Sequence, residues 1–66
     1  MGFLIDGYWK DDKARFTNHY VTEFEDGDDD DYVFYYGLSE QDIVDAINDG
    51  EQTSLEFVIT SYTKID

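Results

Sequence analysis

The sequence predicts an α+β fold: an antiparallel three-stranded sheet with one α-helix, in ββαβ order, forming a dimer. Three observations predict it. Segments 14–24 and 53–62 alternate in hydropathy, and 31–36 is aromatic and β-branched, as strands require. Between the last two strands, residues 39–50 carry the start and stop signals of a short helix. The chain has 66 residues and no Cys. A chain of this length buries only about 60% of its unfolded surface, so a well-packed sheet and self-association are the remedies left to it.

The first nine residues place Phe3, Ile5 and Trp9 on one alternating row and Leu4, Asp6 and Tyr8 on the other. They read as a fourth, N-terminal strand. Lys10, Asp11, Asp12 and Lys13 interrupt the pattern, either as a hairpin turn or as the end of a flexible arm over 1–13. The whole of 1–66 forms one domain.

From 14 to 24, Phe16, Asn18, Tyr20, Thr22 and Phe24 form the row expected to face the core. Arg15, Thr17, His19, Val21 and Glu23 form the outer row, which makes His19 a solvated strand residue. No Ser, Cys or metal-ligand pattern accompanies it.

The turn over 25–30 follows, with Gly27 able to take a positive φ and close a hairpin onto 31–36. Asp26, Asp28 and Asp30 alternate as in a calcium loop, but the sixth position holds Asp31 instead of Gly and the twelfth Gly37 instead of Glu. No metal or cofactor is expected. The run Asp28, Asp29, Asp30, Asp31 must stay in water or meet a basic partner, because burying an unpaired carboxylate costs several kcal/mol.

Gly37 ends that strand and Ser39 is placed to cap a helix, with Asp42 at the third helical position to complete a capping box. Leu38 and Ile43 have the spacing of a hydrophobic staple, Glu40 and Asp42 suit the positive end of the helix dipole, and Gly50 is a natural stop. The helix should span 40–49. Its apolar stripe is Ile43, Val44, Ala46 and Ile47, which must lie on the sheet and has enough width to reach a second copy.

In 53–62, Leu55, Phe57 and Ile59 alternate with Glu56, Val58, Thr60 and Tyr62. Val58 and Tyr62 are unneeded on a wet face, so pairing with a partner chain would use them. A right-handed crossover returns this strand beside 14–24, the first of the three, with 31–36 on the other side, in order 2-1-3 with antiparallel neighbours. Open sheet edges favour a homodimer through an edge or through the helix stripe.

The formal net charge is −13, and between Phe16 and Thr63 there are 13 acids and no Lys or Arg. Such a field disfavours nucleic acid and anionic membrane as ligands and steers basic protein surfaces toward the chain. The same acidity also suits plain solubility. No targeting segment and no membrane span is legible, so a cytoplasmic protein is expected. No nucleophile with a base and no carboxylate pair fixed in a cleft is legible either, so no enzymatic activity is expected.

The order of the Tyr20-Val21-Thr22 strand, the acidic turn, the aromatic strand through Tyr36, Gly37-Leu38-Ser39-x-x-Asp42 and a closing Thr63-Lys64-Ile65 carries a family likeness. Over residues 19–65 the chain resembles the small dimeric uracil-DNA glycosylase inhibitors of bacteriophages with protein-primed DNA replication. The resemblance implies DNA mimicry. Carboxylates stand where phosphates would, and an apolar pocket between the two helices receives the side chain that the glycosylase inserts into the minor groove.

Carried onto this sequence, the resemblance puts Ile43, Val44 and Ile47 in the pocket. Glu40, Asp42, Asp45, the acidic run and Tyr36 would form the rest of the partner-binding surface. The family has an aromatic, an acid and a Tyr where Ile43, Val44 and Ile47 stand, so the implied pocket is aliphatic. The implied partner is a host or viral uracil-DNA glycosylase within the bacterial cytoplasm. A DNA mimic or adaptor aimed at another basic target, such as a restriction enzyme, a nuclease-guided defence complex or a histone-like protein, is the alternative.

Overall fold

The computed structural model of this chain describes residues 2–23 and 37–65. Its elements are β1 (Gly2–Trp9), β2 (Arg15–Thr22), α1 (Glu40–Asp49), a single 3₁₀ turn at Gly50–Gln52, and β3 (Phe57–Ile65). The three strands form one antiparallel sheet in the order β2-β1-β3, so the last strand pairs with the N-terminal segment and not with 14–24 as expected, and the helix stands between the second and third strands in sequence. The strand expected over 31–36, the turn before it and Phe24 lie outside the described residues.

The N-terminal segment, open between strand and arm on sequence grounds, is the centre of the sheet. Phe3 and Ile5 are fully buried, and β1 is paired on both sides, so its backbone groups have ladder partners in both directions. The residues after Trp9 form the hairpin turn. Trp9 N–H donates to Ala14 O and Lys13 N–H to Trp9 O, both at 2.9 Å, and the Asp12 carboxylate accepts from Ala14 N–H at 3.0 Å.

Both neighbours of β1 carry one extra residue opposite Asp6. On β2 the pairing steps from Ile5↔His19 to Gly7↔Phe16, and on β3 from Asp6↔Ser61 to Gly7↔Ile59. Asn18 has φ 55°, a left-handed conformation that Asn tolerates better than most residues. The Asp6 side chain ties the two irregularities together, accepting from Asn18 N–H at 2.9 Å and from Ser61 Oγ at 3.0 Å. The Asp6 carbonyl accepts from Thr60 Oγ1 at 3.1 Å.

These bulges correct two expectations, because an inserted residue exchanges the faces of everything beyond it. On β2 the inner row is Phe16, then His19 and Val21. Val21 is fully buried, and His19 packs its ring at 4.7 Å from Phe16 and 5.5 Å from Trp9. Tyr20, paired with Leu4, points to the other face, and Asn18 is exposed. On β3 the inner row runs Phe57, Ile59 and then Tyr62, whose ring meets Phe3 edge-on at 6.1 Å. Tyr62 is thus not on the outer face offered to a partner chain, and Val58 is only 6% exposed within this chain.

The last strand also begins later and ends later than 53–62. Phe57 pairs with Trp9, the last residue of β1, and only one further backbone bond follows, from Lys10 N–H to Glu56 O at 3.0 Å, before the two segments part among the described residues. At the other end Ile65 pairs with Gly2. Leu55, off the strand, packs against the edge of the core.

Helix α1 has the expected bounds. Ser39 Oγ accepts from Asp42 N–H at 3.2 Å and Asp42 Oδ2 accepts from Ser39 N–H at 3.1 Å, the complete capping box. Gly50, at φ 62°, closes the helix with its N–H on Ala46 O. Leu38, Ile43 and Ala46 join Phe3, Ile5, Val21, Phe57 and Ile59 in one core between helix and sheet. Among the described residues no helix is long and apolar enough to cross a membrane.

Candidate functional site

Placement of the helix on the sheet decides which of its residues can meet a partner. The face directed at the sheet carries Ile43, which is fully buried, and Ala46, which is 3% exposed. Ile47 packs against the same core and is half-buried, as is Val44. Ile43 therefore supports the sheet from within and offers a partner no surface, whereas Val44 and Ile47 keep part of theirs.

The acids of the helix divide into two flanks. On the flank toward the end of β3, Glu40 is engaged inside the chain. It accepts from Tyr62 Oη at 2.8 Å and pairs with Lys64 Nζ at 3.2 Å. These two contacts, the tyrosine hydrogen bond first, hold the Glu40 carboxyl below its ordinary range, and the bond to Glu40, with burial, raises Tyr62 in turn.

On the opposite flank stand Asp42, Asp45 and Asp49, one helical turn apart and all exposed. Asp42 also holds the cap, and Asp45 accepts from Gln41 Nε2 at 3.0 Å. Beside this row lies a groove of about 260 Å³, whose lining adds Leu38, Ala46, Leu55, Thr53 and Ser54 to the three acids. Apolar surface flanked by carboxylates is the combination expected of a partner-binding face, but it lies on the side of α1 away from Val44.

Of the acids assigned to a partner-binding surface on sequence grounds, Asp42 and Asp45 fall together on this groove and Glu40 does not. Asp28, Asp29, Asp30, Asp31 and Tyr36 lie outside the described residues. Asp49 was missed, although its spacing from Asp42 and Asp45 is legible on any helix. Leu55, which alternation places in the last strand, lies before β3 and lines the groove.

Basic groups gather around the β1–β2 turn. Lys13 pairs with Glu51 at 3.1 Å and lies 5.4 Å from the Tyr8 ring centroid, while Tyr8 Oη donates to the same Glu51 at 2.9 Å. Among the described residues no group of three or more His, Asp or Glu is arranged to hold a metal ion.

No family model, curated protein or solved structure matches this chain.

Proposed function

We propose that this chain is a protein inhibitor that imitates DNA to a uracil-DNA glycosylase, occupying the enzyme's DNA-binding cleft and receiving its apolar minor-groove probe. The observation that carries the reading is the row Asp42, Asp45 and Asp49 beside the apolar lining of Leu38, Ala46 and Leu55. With about 1.5 Å of rise per residue, the three carboxylates recur every 5 Å or so of helix axis, against about 3.4 Å per phosphate along one DNA strand. That is roughly two-thirds of the charge density a phosphate-binding cleft is built to neutralise.

The net charge of −13 supports the same reading, since it attracts a cationic cleft and repels nucleic acid. So does the resemblance carried by Gly37-Leu38-Ser39-x-x-Asp42. An enzyme that extrudes a base and inserts an apolar side chain in its place needs an apolar receptor for that side chain once DNA is absent. Self-association belongs to the same reading. Among the described residues β2 and β3 are the sheet's edges, each with ladder groups a second copy can use.

The test is excision of uracil from duplex DNA by purified glycosylase with this protein added. Inhibition at micromolar protein, weakening as salt rises, is the expected result. Unimpeded excision at that concentration ends the proposal.

A further inference from the structure

The groove beside α1 does not stop at the helix. Leu55 also lines a second hollow, which continues past Glu56 to Trp9 and the β1–β2 turn at Asp11 and Asp12. Trp9 and Leu55, 46 residues apart in sequence, thus extend the apolar lining beyond the helix, and carboxylates from three separate segments stand along it.

One cation borders this trough, and it is directed into the protein. Lys10 Nζ donates to Thr53 O at 2.7 Å, which pins the segment carrying Leu55 to the end of β1.

We infer that the two hollows sharing Leu55, one reaching Leu38 and the other Trp9, together form a docking surface for a cationic polypeptide segment in which one apolar side chain sits between Lys or Arg residues. The apolar side chain covers Leu55, the centre shared by both hollows. Its basic neighbours meet Asp45 and Asp49 on one side and Asp12 and Glu56 on the other. Charge complementarity selects this occupant over a second copy of the chain, which would bring like charge to the rim. The inference rests on the inhibitor reading for the source of the segment, the wall of a DNA-binding cleft, but the surface itself is defined by the chain's own residues.

The test titrates the isotope-labelled full chain with the blocked heptapeptide Gly-Lys-Arg-Leu-Arg-Lys-Gly and follows backbone amide resonances. Saturable shifts at Asp12, Asp45, Asp49 and Leu55 are expected. The same peptide with Ser for Leu should bind about tenfold more weakly, from lost apolar burial. The double variant Asp45→Asn, Asp49→Asn changes two exposed side chains outside the core and should also weaken binding about tenfold at low salt.

Shifts confined to other residues, equal affinity for the two peptides, or undiminished affinity in the double variant would each overturn the inference. The two proposals fail separately. A chain that binds the peptide in the trough but leaves the glycosylase active refutes the inhibitor reading. A chain that inhibits the glycosylase equally well as the double variant, and ignores the peptide, refutes the trough.

Discussion

The carbonyl oxygen of Val58 stands against Gly7, so close that a β-carbon built on residue 7 would lie 1.8 Å from it. The contact sits next to the bulged step, where Gly7 takes up pairing with both neighbours after Asp6. Because the obstructing atom is backbone, no rotamer change can relieve it. Gly7→Ala should therefore destabilise the fold by about 3 kcal/mol, the upper end for overpacking. A urea titration followed by circular dichroism measures this, and a loss below the noise of that experiment would mean that the strands can separate locally at little cost.

Removing the helix cap should cost less. Ser39→Ala deletes the acceptor for Asp42 N–H, and such caps contribute about 1 kcal/mol. The Asp42 side chain keeps its bond to Ser39 N–H, so the helix should fray by a turn without leaving the sheet. Amide exchange at residues 40–43 should accelerate while exchange in β1 follows only the global change.

Helix residues that the sequence groups in one stripe should separate in their energetics. Ile43→Ala empties a fully buried site and should cost about 2–5 kcal/mol, whereas Val44→Ala, at a half-buried position, should stay within about 1 kcal/mol. If inhibition is measured as well, Val44→Ala should leave it unchanged, since Val44 lies on the flank away from Asp45 and Asp49. Strong loss of inhibition in a folded Val44→Ala protein would move the site to the other side of the helix.

Burial among Trp9, Phe16 and Phe57 disfavours the charged form of His19 and lowers its pKa from the ordinary 6.5. The unfolded chain therefore takes up a proton before the folded one does. Stability should be complete above pH 6.5 and decline as pH falls from there toward the folded value, below which the loss is fully developed. His19→Phe should flatten this part of the profile and leave the steeper carboxylate-linked loss at lower pH. An unchanged slope in that variant would place the titration on another group.

Much of the architecture was legible because it rests on local rules. The bounds of α1 follow from Ser39, Asp42 and Gly50, three residues whose roles are set by hydrogen bonds within one or two turns. The inward row of β1 follows from plain alternation up to Ile5, whereas the pairing does not follow: the expected neighbour of the last strand is 14–24, and β3 pairs instead with β1, the N-terminal segment.

Row assignment failed on β2 and β3, where one extra residue on each strand exchanges the faces beyond it. Nothing in the run from Phe16 to Val21 announces that Asn18 will adopt a left-handed φ. The cause is Asp6, on a different strand, whose carboxylate offers the Asn18 N–H a partner in place of the ladder.

By itself, then, the sequence determined the helix and its caps, the α+β class and the sign of the surface charge, since each depends on neighbours in the chain or on composition. Only the tertiary structure decided that the N-terminal strand is central, that His19 and Tyr62 turn inward, that Ile43 is fully buried, and that Leu55 lines one hollow with Trp9 and another with the acids of α1. Those outcomes depend on side chains far apart in sequence meeting across the sheet, and no local periodicity encodes such meetings.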